Sequence, residues 1–326
     1  MRIRRAKQRG ASREKVRILF ATDLHGSEMV FRKFLNAVSV YEATVAILGG
    51  DLTGKRLAPI IETKSGFEVA VMGESLHAAD PDALDPILQR IRNLGQYPIV
   101  VSADEVEAMR LDPALVERHF ERECQRQVAD WMQRAADRLA PMGISMYVTG
   151  GNDDYLSIES VLDRAEWITN AEGRVLDLAT GLPMISTGYG NPTPWQCPRD
   201  VTEDELAIRI SDIANQLDDP HTAIFNLHVP PFGSGLDHCP KLDTSVDPPR
   251  PVAGEQISAG STAVIEAIRR YQPAVSLHGH IHEAGGIRQI GRTICINPGS
   301  EYAEGILRCA VIDIDDDRIS PQLLTA

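Results

Sequence analysis

The chain has 326 residues, 43% of them hydrophobic, which suffices for one large or two small domains with an ordinary packed core. Its formal net charge of -13 argues against a broad surface for nucleic acids or anionic membranes, because negative potential repels polyanions unless a bound cation reverses it locally. The five cysteines have no CxxC spacing, no window is apolar enough to span a bilayer, and the N-terminus lacks a signal-peptide pattern, so we predict a cytoplasmic protein.

Short apolar runs recur along the chain after a basic segment, residues 1 to 14, that we predict to be a flexible arm. Each run ends at or beside Gly, Asp, Asn or His. Near-continuous apolar character is typical of strands that are covered on both faces. The predicted strands are 16 to 22, 44 to 50, 144 to 151, 222 to 227 and 273 to 279.

Helical spacing of apolar residues separates these runs. It predicts a helix after the first run, a long helix that Pro141 ends, and two helices that Thr202 and Ser261 cap. Alternating strands and helices predict an α/β fold. The segments after residue 286 resemble hairpin strands that would build a second, more antiparallel sheet. We therefore predict a single domain, residues 15 to 326, that contains two sheets.

A long insertion, about residues 55 to 140, separates the second and third predicted strands. It begins with two apolar runs around Lys64-Ser65-Gly66, a pattern that predicts a β-hairpin. Because a two-stranded hairpin alone is marginally stable, its apolar faces need burial. We expect the insertion to form a homodimer interface or a cap near the active site. Residues 233 to 256 are predicted to form a long ordered loop.

Each predicted strand is followed by a residue that can bind a metal. Taken singly, each is weak evidence, since a lone histidine or an Asp after Gly-Gly is usually an ordinary turn or loop residue. The carboxyl ends of strands in an open α/β sheet face one crevice, so these side chains are expected to converge. The candidate metal ligands are Asp23, His25, Asp51, Asn152, His228, His280 and His282.

The chemistry of these ligands restricts the metal. Carboxylate, imidazole and amide oxygen without thiolate suit Mn, Fe, Zn or Co rather than a structural zinc. Seven ligands are too many for one tetrahedral ion, so we predict two divalent ions that share a bridging carboxylate. Two ions roughly 3.5 to 4 Å apart are the usual arrangement for phosphate-ester hydrolysis, because they generate hydroxide at neutral pH and neutralise phosphate oxygens.

The order of these motifs resembles the calcineurin-like metallophosphoesterase superfamily. The phrases "ATDLHGS", "LGGDLTGK", "NLHVPPFGSGLD" and "HGHIHE" are similar to prokaryotic phosphoesterases related to the Icc-type cyclic-nucleotide phosphodiesterases. The resemblance covers nearly the whole chain, as far as "INPGS". It implies a four-layer αββα sandwich of two mixed sheets flanked by helices, here with a hairpin-plus-helix insertion.

The resemblance also implies roles for individual residues. A water or hydroxide between the ions would attack phosphorus in line, and Asn152 would contact both its metal and a phosphate oxygen. Gly26 and the helix behind it could offer backbone N–H groups to the phosphate. The implied ligands are Asp23, His25 and His282 for one ion, Asn152, His228 and His280 for the other, and Asp51 as the bridge.

The sequence departs from the family at residue 153. Where the family commonly has a histidine after Gly-Asn, this chain has Asp153, followed by Asp154. A carboxylate near two cations is normally ionised and is a poor acid. We hypothesise that Asp153 has a catalytic role but does not simply replace the histidine, and that the enzyme favours esters with good leaving groups. The alternative is that Asp153 only caps the following "YLSIES" segment. Asp154 is expected to support the site.

The leading prediction is a phosphodiesterase that acts on a small nucleotide or another soluble phosphate ester, without a membrane partner. The closest alternative is a phosphomonoesterase, including a protein phosphatase. A nuclease is disfavoured by the net acidity and by the lack of a basic stripe interleaved with aromatics. A non-catalytic scaffold of the same fold should have broken ligand motifs, whereas all seven positions are filled here.

Overall fold

The structure, a computed structural model, describes residues 15–178, 181–315 and 318–326, and the predicted basic arm lies outside them. The described helices are α1 (Glu28–Val40), α2 (Pro81–Asn93), α3 (Ala103–Leu111), α4 (Pro113–Leu139), α5 (Glu159–Leu162), α6 (Glu203–Ala214) and α7 (Thr262–Tyr271). The described strands are β1 (Val16–Ala21), β2 (Val45–Leu48), β3 (Arg56–Thr63), β4 (Gly66–Val71), β5 (Glu74–Ala78), β6 (Gln96–Val101), β7 (Ser145–Val148), β8 (Ile168–Asn170), β9 (Val175–Asp177), β10 (Pro183–Thr187), β11 (Ile224–Leu227), β12 (His238–Asp243), β13 (Arg250–Ser258), β14 (Val275–Leu277), β15 (Gly286–Ile290), β16 (Thr293–Asn297), β17 (Arg308–Asp315) and β18 (Arg318–Thr325).

Two six-stranded mixed sheets form the centre of the fold. The first has the order β18-β17-β1-β2-β7-β8 and the second has the order β15-β16-β14-β11-β10-β9. Phe20 and Ile47 from the first sheet share one apolar cluster with Ile224 and Leu277 from the second, so the sheets pack face to face. The predicted four-layer αββα sandwich is confirmed.

Helices cover the outer faces of both sheets. Helices α1 and α4 bury their apolar sides against the first sheet, and α6 and α7 bury theirs against the second. Phe31 of α1 stacks on the fully buried Trp131 of α4, with ring centroids 4.3 Å apart. The predicted caps are confirmed, since the side chains of Thr202 and Ser261 accept hydrogen bonds from N–H groups in the first turns of α6 and α7.

The C-terminal hairpins do not build a sheet of their own, so that prediction is wrong. Strands β15 and β16 extend the second sheet beside β14, whereas β17 and β18 extend the first sheet through antiparallel pairing with β1. The reason is that β17 is apolar on both faces: Ala310 and Ile312 pack between the two sheets, and Cys309 and Val311 pack on the side that the helices cover. Antiparallel strands therefore close an edge of each sheet.

The insertion forms a four-stranded sheet, in the order β5-β4-β3-β6, together with α2, α3 and α4. Residues such as Ile60 and Val69 pack against Leu84 and Ile91 of α2. Ile99 and Val101 of β6 pack with Met109 of α3. The apolar faces of the β3–β4 hairpin, whose burial was the reason for expecting a homodimer, are thus covered within the chain. The homodimer stays a prediction.

Two further features concern the predicted loop at 233 to 256 and the character of the helices. The segment from 233 to 256, expected to be a loop, contains most of a two-stranded hairpin, β12 and β13, whose residues are largely exposed. Among the described helices, none combines the length and the apolar character that crossing a membrane requires.

Candidate metal centre

All seven predicted ligands lie at one edge of the sandwich, just after strand ends. They come from two sheets and not from one: β1, β2 and β7 belong to the first sheet, and β11 and β14 belong to the second. The prediction of convergence is therefore correct, but the common crevice lies where the two sheets meet.

The backbone at this edge adopts a conformation that side chains rarely permit. Asp23, His25, Asp51 and His280 have φ values of 55°, 41°, 49° and 65°. Such left-handed backbone is uncommon for residues other than glycine, and it persists where the surroundings hold it, often at functional sites. Here the Asp23 N–H donates to the Gly50 carbonyl and the His25 N–H donates to the Asp51 carbonyl, both at 2.9 Å.

One group of potential ligands contains Asp23, His25 and His282. The Nε2 atoms of the two histidines lie 3.0 Å apart, and Nε2 of His282 lies 3.5 Å from Oδ1 of Asp23. Burial opposes ionisation of Asp23, but the hydrogen bond from His282 and the charges of His228 and His282 together outweigh it and lower the pKa of Asp23 to about 2. A carboxylate that is ionised at neutral pH, together with two imidazole nitrogens, is a suitable set of donors for a divalent ion.

The second group contains Asp51, His228 and His280. His228 Nδ1 lies 3.0 Å from the Gly49 carbonyl oxygen, so Nδ1 carries the proton and Nε2 presents its lone pair. That Nε2 atom is buried without a hydrogen-bond partner and faces Asp51 Oδ1 at 3.4 Å. A lone pair directed at a carboxylate inside the protein requires a cation between them. Burial lowers the pKa of His228, but Asp51 and Asp23 outweigh it and raise that pKa to about 9, so a proton occupies Nε2 when no metal is bound. A divalent ion would satisfy the same two groups, so the residues present fit a bound metal.

Asp51 lies between the two groups. Its Oδ1 faces Nε2 of His228, and its Oδ2 lies 3.5 Å from Nε2 of His25. Burial works against the charge, but His228, His25 and Lys55 together outweigh it and hold the pKa of Asp51 well below its usual value. One ionised carboxylate therefore offers an oxygen to each group.

Glycines let the ligands approach each other. A Cβ on Gly151 would lie 2.1 Å from Asp51 Oδ1, and a Cβ on Gly279 would lie 2.3 Å from Asp23 Oδ2. Side chains at either position would displace a carboxylate from the centre. Among the described residues, every group of three or more closely spaced His, Cys, Asp or Glu donors belongs to this centre.

Asn152 is placed with the second group. Its Oδ1 lies 2.9 Å from His280 Nδ1, and its Nδ2 donates to Asp200 Oδ1 at 2.9 Å. The other oxygen of Asp200 accepts from the N–H groups of Thr193 and Cys197. Asp200 thus fixes the amide orientation with the oxygen toward the centre. Sequence reasoning missed Asp200, because no spacing relates it to the ligand motifs.

Asp153 faces the centre and does not cap a helix. The 3-10 turn Leu156–Ile158 begins without a side-chain cap, so the capping alternative is wrong. The Asp153 carboxylate instead lies 3.4 Å from Lys55 Nζ and 3.9 Å from His25 Nδ1. With His25 and Asp51 it forms a third group of potential metal ligands. Burial, reinforced by Asp51, raises the pKa of Asp153.

Asp154 supports the site as expected. Its buried carboxylate accepts hydrogen bonds from the N–H groups of Leu52, Thr53 and Gly151 and from the Thr53 hydroxyl, at 2.6 to 3.0 Å. It therefore ties the residues that follow Asp51 to the glycine that precedes Asn152.

Gly26 does not carry the role expected from the sequence. Its N–H donates to the Leu52 carbonyl at 2.8 Å, and its carbonyl accepts from the Gln127 amide at 2.9 Å. A Cβ on Gly26 would lie 2.7 Å from the Gly54 backbone. Gly26 has no free backbone donor for a phosphate, and its close packing against Gly54 explains the glycine instead.

Two other side chains at the centre were missed by the sequence. Lys55 lies four residues after Asp51, within the quoted phrase "LGGDLTGK", and this proximity was the available signal. The Tyr302 ring lies 4.6 Å from the His25 ring and 5.8 Å from the His282 ring, between centroids. Tyr302 follows "INPGS" by two residues and had no spacing argument of its own.

Comparisons with known proteins agree with this fold. No protein-family model matches the chain. A curated uncharacterized protein of Methanocaldococcus jannaschii is 28% identical over 118 residues, which is 35% of this chain and 47% of that protein, so the match spans about half the length of the relative. One solved crystal structure has a TM-score of 0.55 and 16% identity, covering 96% of this chain and 99% of that chain. TT1561 of Thermus thermophilus has a TM-score of 0.51 and 12% identity, with coverage of 96% and 99%. These structural likenesses show the fold.

Proposed function

We propose that this chain, which has the calcineurin-like metallophosphoesterase fold, is a dinuclear metal-dependent phosphohydrolase that acts mainly on phosphodiesters. The observation that carries the proposal is the position of Asp51. Its two oxygens face different groups of ligands, at 3.4 Å from His228 Nε2 and 3.5 Å from His25 Nε2. A carboxylate in that position is suited to bridging two ions.

The proposed ligands divide as the sequence implied. Asp23, His25 and His282 would hold one ion, Asn152, His228 and His280 the other, and Asp51 both. Two divalent ions would supply a nucleophilic hydroxide at neutral pH and positive charge for the phosphate oxygens. Donors of this type, without thiolate, support Mn, Fe, Zn or Co as the metal.

The protein supplies orientation around the ligands. Asn152 presents its Oδ1 to the centre because Asp200 holds its amide nitrogen. His228 presents Nε2 because the Gly49 carbonyl holds Nδ1. Burial lowers the pKa of His280 to about 4, so the ring stays neutral and able to donate a lone pair to a cation at neutral pH.

The charge around residue 153 favours diesters over monoesters. Asp153 adds a carboxylate where the family commonly has a histidine, and its contact with the half-exposed Lys55, at 3.4 Å, offsets that charge only in part. A phosphodiester carries one negative charge, whereas a monoester carries about two near neutral pH. An extra carboxylate repels the dianion more strongly, by Coulomb's law. A phosphomonoesterase is the alternative outcome of the test.

The test combines metal analysis with a panel of substrates. Purified protein is loaded with Mn, and separately with Mg, and assayed on a cyclic nucleotide, bis(4-nitrophenyl) phosphate and 4-nitrophenyl phosphate. We expect two ions per chain and kcat/KM at least tenfold higher on the diesters. Asp51→Asn should lower both metal content and turnover, whereas Asp243→Asn, on the exposed β12–β13 hairpin, should change neither.

Each contrary result has a defined meaning. Fewer than one ion per chain after loading would favour a non-catalytic scaffold. Two ions with a preference for the monoester would favour a phosphomonoesterase. Two ions without turnover of any ester would reject the proposed activity.

A further inference from the structure

Lys55 places a positive charge at the mouth of the metal centre. Its Nζ lies 3.4 Å from Asp153 Oδ2, and the same oxygen lies 3.9 Å from Nδ1 of the fully buried His25. The Lys55 side chain is 48% exposed, whereas Asp51 is 5% exposed. The Asp153 carboxylate thus lies between the ammonium group and the ligand His25, and the ammonium group is accessible from solvent, where a substrate would enter.

The segment before Lys55 is rigidly held. The Thr53 N–H and hydroxyl both donate to Asp154, and the Gly54 N–H donates to the Tyr97 hydroxyl at 2.7 Å. A Cβ on Gly54 would lie 2.1 Å from the Gly95 carbonyl oxygen, so the backbone is closely packed there. The base of the lysine side chain is therefore fixed, and Asp153 restrains its end.

The contact between Lys55 and Asp153 also reduces the repulsion between the Asp153 carboxylate and an anionic ester. Asp153 approaches the centre with a negative charge, and its backbone N–H donates to Asp51 Oδ1 at 3.1 Å. A carboxylate alone at this position would repel an anionic ester. The Lys55 ammonium group, 3.4 Å from Asp153 Oδ2, places a positive charge beside that carboxylate and offsets the repulsion.

We propose that Lys55 is a catalytic residue that contacts the leaving oxygen of the ester, and that Asp153 is the residue that positions it. The inference rests on the proposed phosphoesterase function and deepens it. Lys55 would serve in place of the histidine that the resemblance leads one to expect after Asn152. The Asp153 carboxylate then positions Lys55, a role in which it does not have to donate a proton.

The step balances without a proton from the lysine. Water supplies the new P–O bond and releases a proton to solvent. The bond to the leaving group breaks, and its electron pair remains on the leaving oxygen, which takes a proton from solvent. Lys55 keeps its protons and donates a hydrogen bond to that oxygen while the charge develops, which stabilises the transition state more than the ground state.

The first experiment varies the leaving group. Lys55→Gln, Lys55→Arg and a matched control, Lys64→Gln in the exposed β3–β4 turn, are assayed on aryl methyl phosphodiesters whose phenols span pKa values from about 7 to about 10. Removing one charge-stabilising donor typically costs about 100-fold in rate. We expect a loss of about that size for the most basic phenol with Lys55→Gln and less than about fivefold for the least basic, because a good leaving group needs less stabilisation.

The remaining variants should follow from the same contact. Lys55→Arg should recover part of the loss, because it keeps the charge, and Lys64→Gln should match the wild type. Asp153→Asn should steepen the dependence on phenol pKa in the same direction, since it frees the lysine. An unchanged dependence in Lys55→Gln overturns the proposal while the phosphoesterase function stands.

The second experiment does not depend on turnover. Metal content is measured for each variant, and inorganic phosphate is titrated calorimetrically into the metal-loaded proteins. We expect Lys55→Gln to retain the wild-type metal content and to bind phosphate about tenfold more weakly than Lys64→Gln does. Equal phosphate affinity would overturn the contact. A wild type that holds two ions but cleaves no ester would reject the proposed function, and the phosphate titration would still decide whether Lys55 contacts the anion.

Discussion

Replacing Asp154 with asparagine should destabilise the protein strongly although the two side chains have nearly the same shape. All four partners of the buried carboxylate are donors: Oδ2 accepts from the N–H groups of Leu52 and Gly151, and Oδ1 accepts from the N–H and hydroxyl of Thr53. An asparagine provides one oxygen and one NH₂ group. Whichever way the amide is turned, its NH₂ faces at least one backbone N–H.

The size of the effect follows from these contacts. Hydrogen bonds to a charged group contribute about 1.5 to 3 kcal/mol each, and a buried donor left without a partner costs about 1 to 3 kcal/mol. Burial and the nearby Asp51 raise the pKa of Asp154, so part of the gain only offsets the cost of burying its charge. We therefore expect Asp154→Asn to lower the free energy of unfolding by about 2 to 4 kcal/mol.

The assay is urea unfolding of chelator-treated protein, followed by tryptophan fluorescence. The matched control is Asp243→Asn, since the exposed Asp243 side chain also accepts two hydrogen bonds, from the N–H and hydroxyl of Ser245. Surface changes of this kind usually stay within about 0.5 kcal/mol. In metal-binding titrations, Asp154→Asn should weaken affinity about 10- to 100-fold, because partners behind the ligands orient them. A loss of less than about 1 kcal/mol in the unfolding assay would refute the reasoning.

Three further predictions concern packing, protonation and metal removal. Gly151→Ala should weaken metal binding at least tenfold, because its Cβ would lie 2.1 Å from Asp51 Oδ1 and 2.2 Å from the Asp51 backbone nitrogen. Wild-type affinity in metal titrations would contradict this. Burial raises the pKa of Glu172 to about 6 from 4.5, so its stabilising contribution is complete below pH 4.5 and is lost as the pH rises through 6. Between pH 4.5 and 7, the free energy of unfolding should therefore fall by about 2 kcal/mol less in Glu172→Gln than in the wild type. An equal fall in the two proteins would disprove the raised pKa of Glu172. Chelation should lower the free energy of unfolding by about 2.7 kcal/mol for each bound ion, relative to protein at a metal concentration of 100 Kd. His228→Gln should show a smaller difference between chelated and metal-loaded protein in thermal unfolding, and an equal difference would remove His228 from the ligand set.

The sequence predicted the elements that local pattern determines. Apolar runs predicted the strands that precede Asp23, Asp51 and Asn152, and the hydroxyl groups of Thr202 and Ser261 marked two helix starts. The sequence did not predict which sheet a strand joins, because that depends on pairing with a strand far away in the chain. Strand β17 is apolar on both faces and would suit either sheet, and its local sequence does not specify β1 as its partner.

The same limit applies within the candidate site. The ligands could be found because each follows a strand, and strand ends converge. Asp200 could not, because it reaches Asn152 from a loop that is fixed by its own hydrogen bonds to Thr193 and Cys197. Gly26 was misassigned because the sequence does not show that Leu52 already accepts its N–H.

Position 153 shows why a missing catalytic residue is better sought in space than in sequence. A histidine in that position would carry its own charge or proton, whereas Asp153 brings the opposite charge and is useful only together with a cation. The cation, Lys55, lies 98 positions earlier in the chain, just after Leu52 and Thr53, whose N–H groups donate to Asp154. One acidic pair thus has two separate tasks: Asp154 fixes the backbone that carries Lys55, and Asp153 restrains its ammonium group. If that division is correct, Asp154→Asn should disturb stability and metal binding together, whereas Asp153→Asn should change the dependence on the leaving group and leave the metal content unchanged.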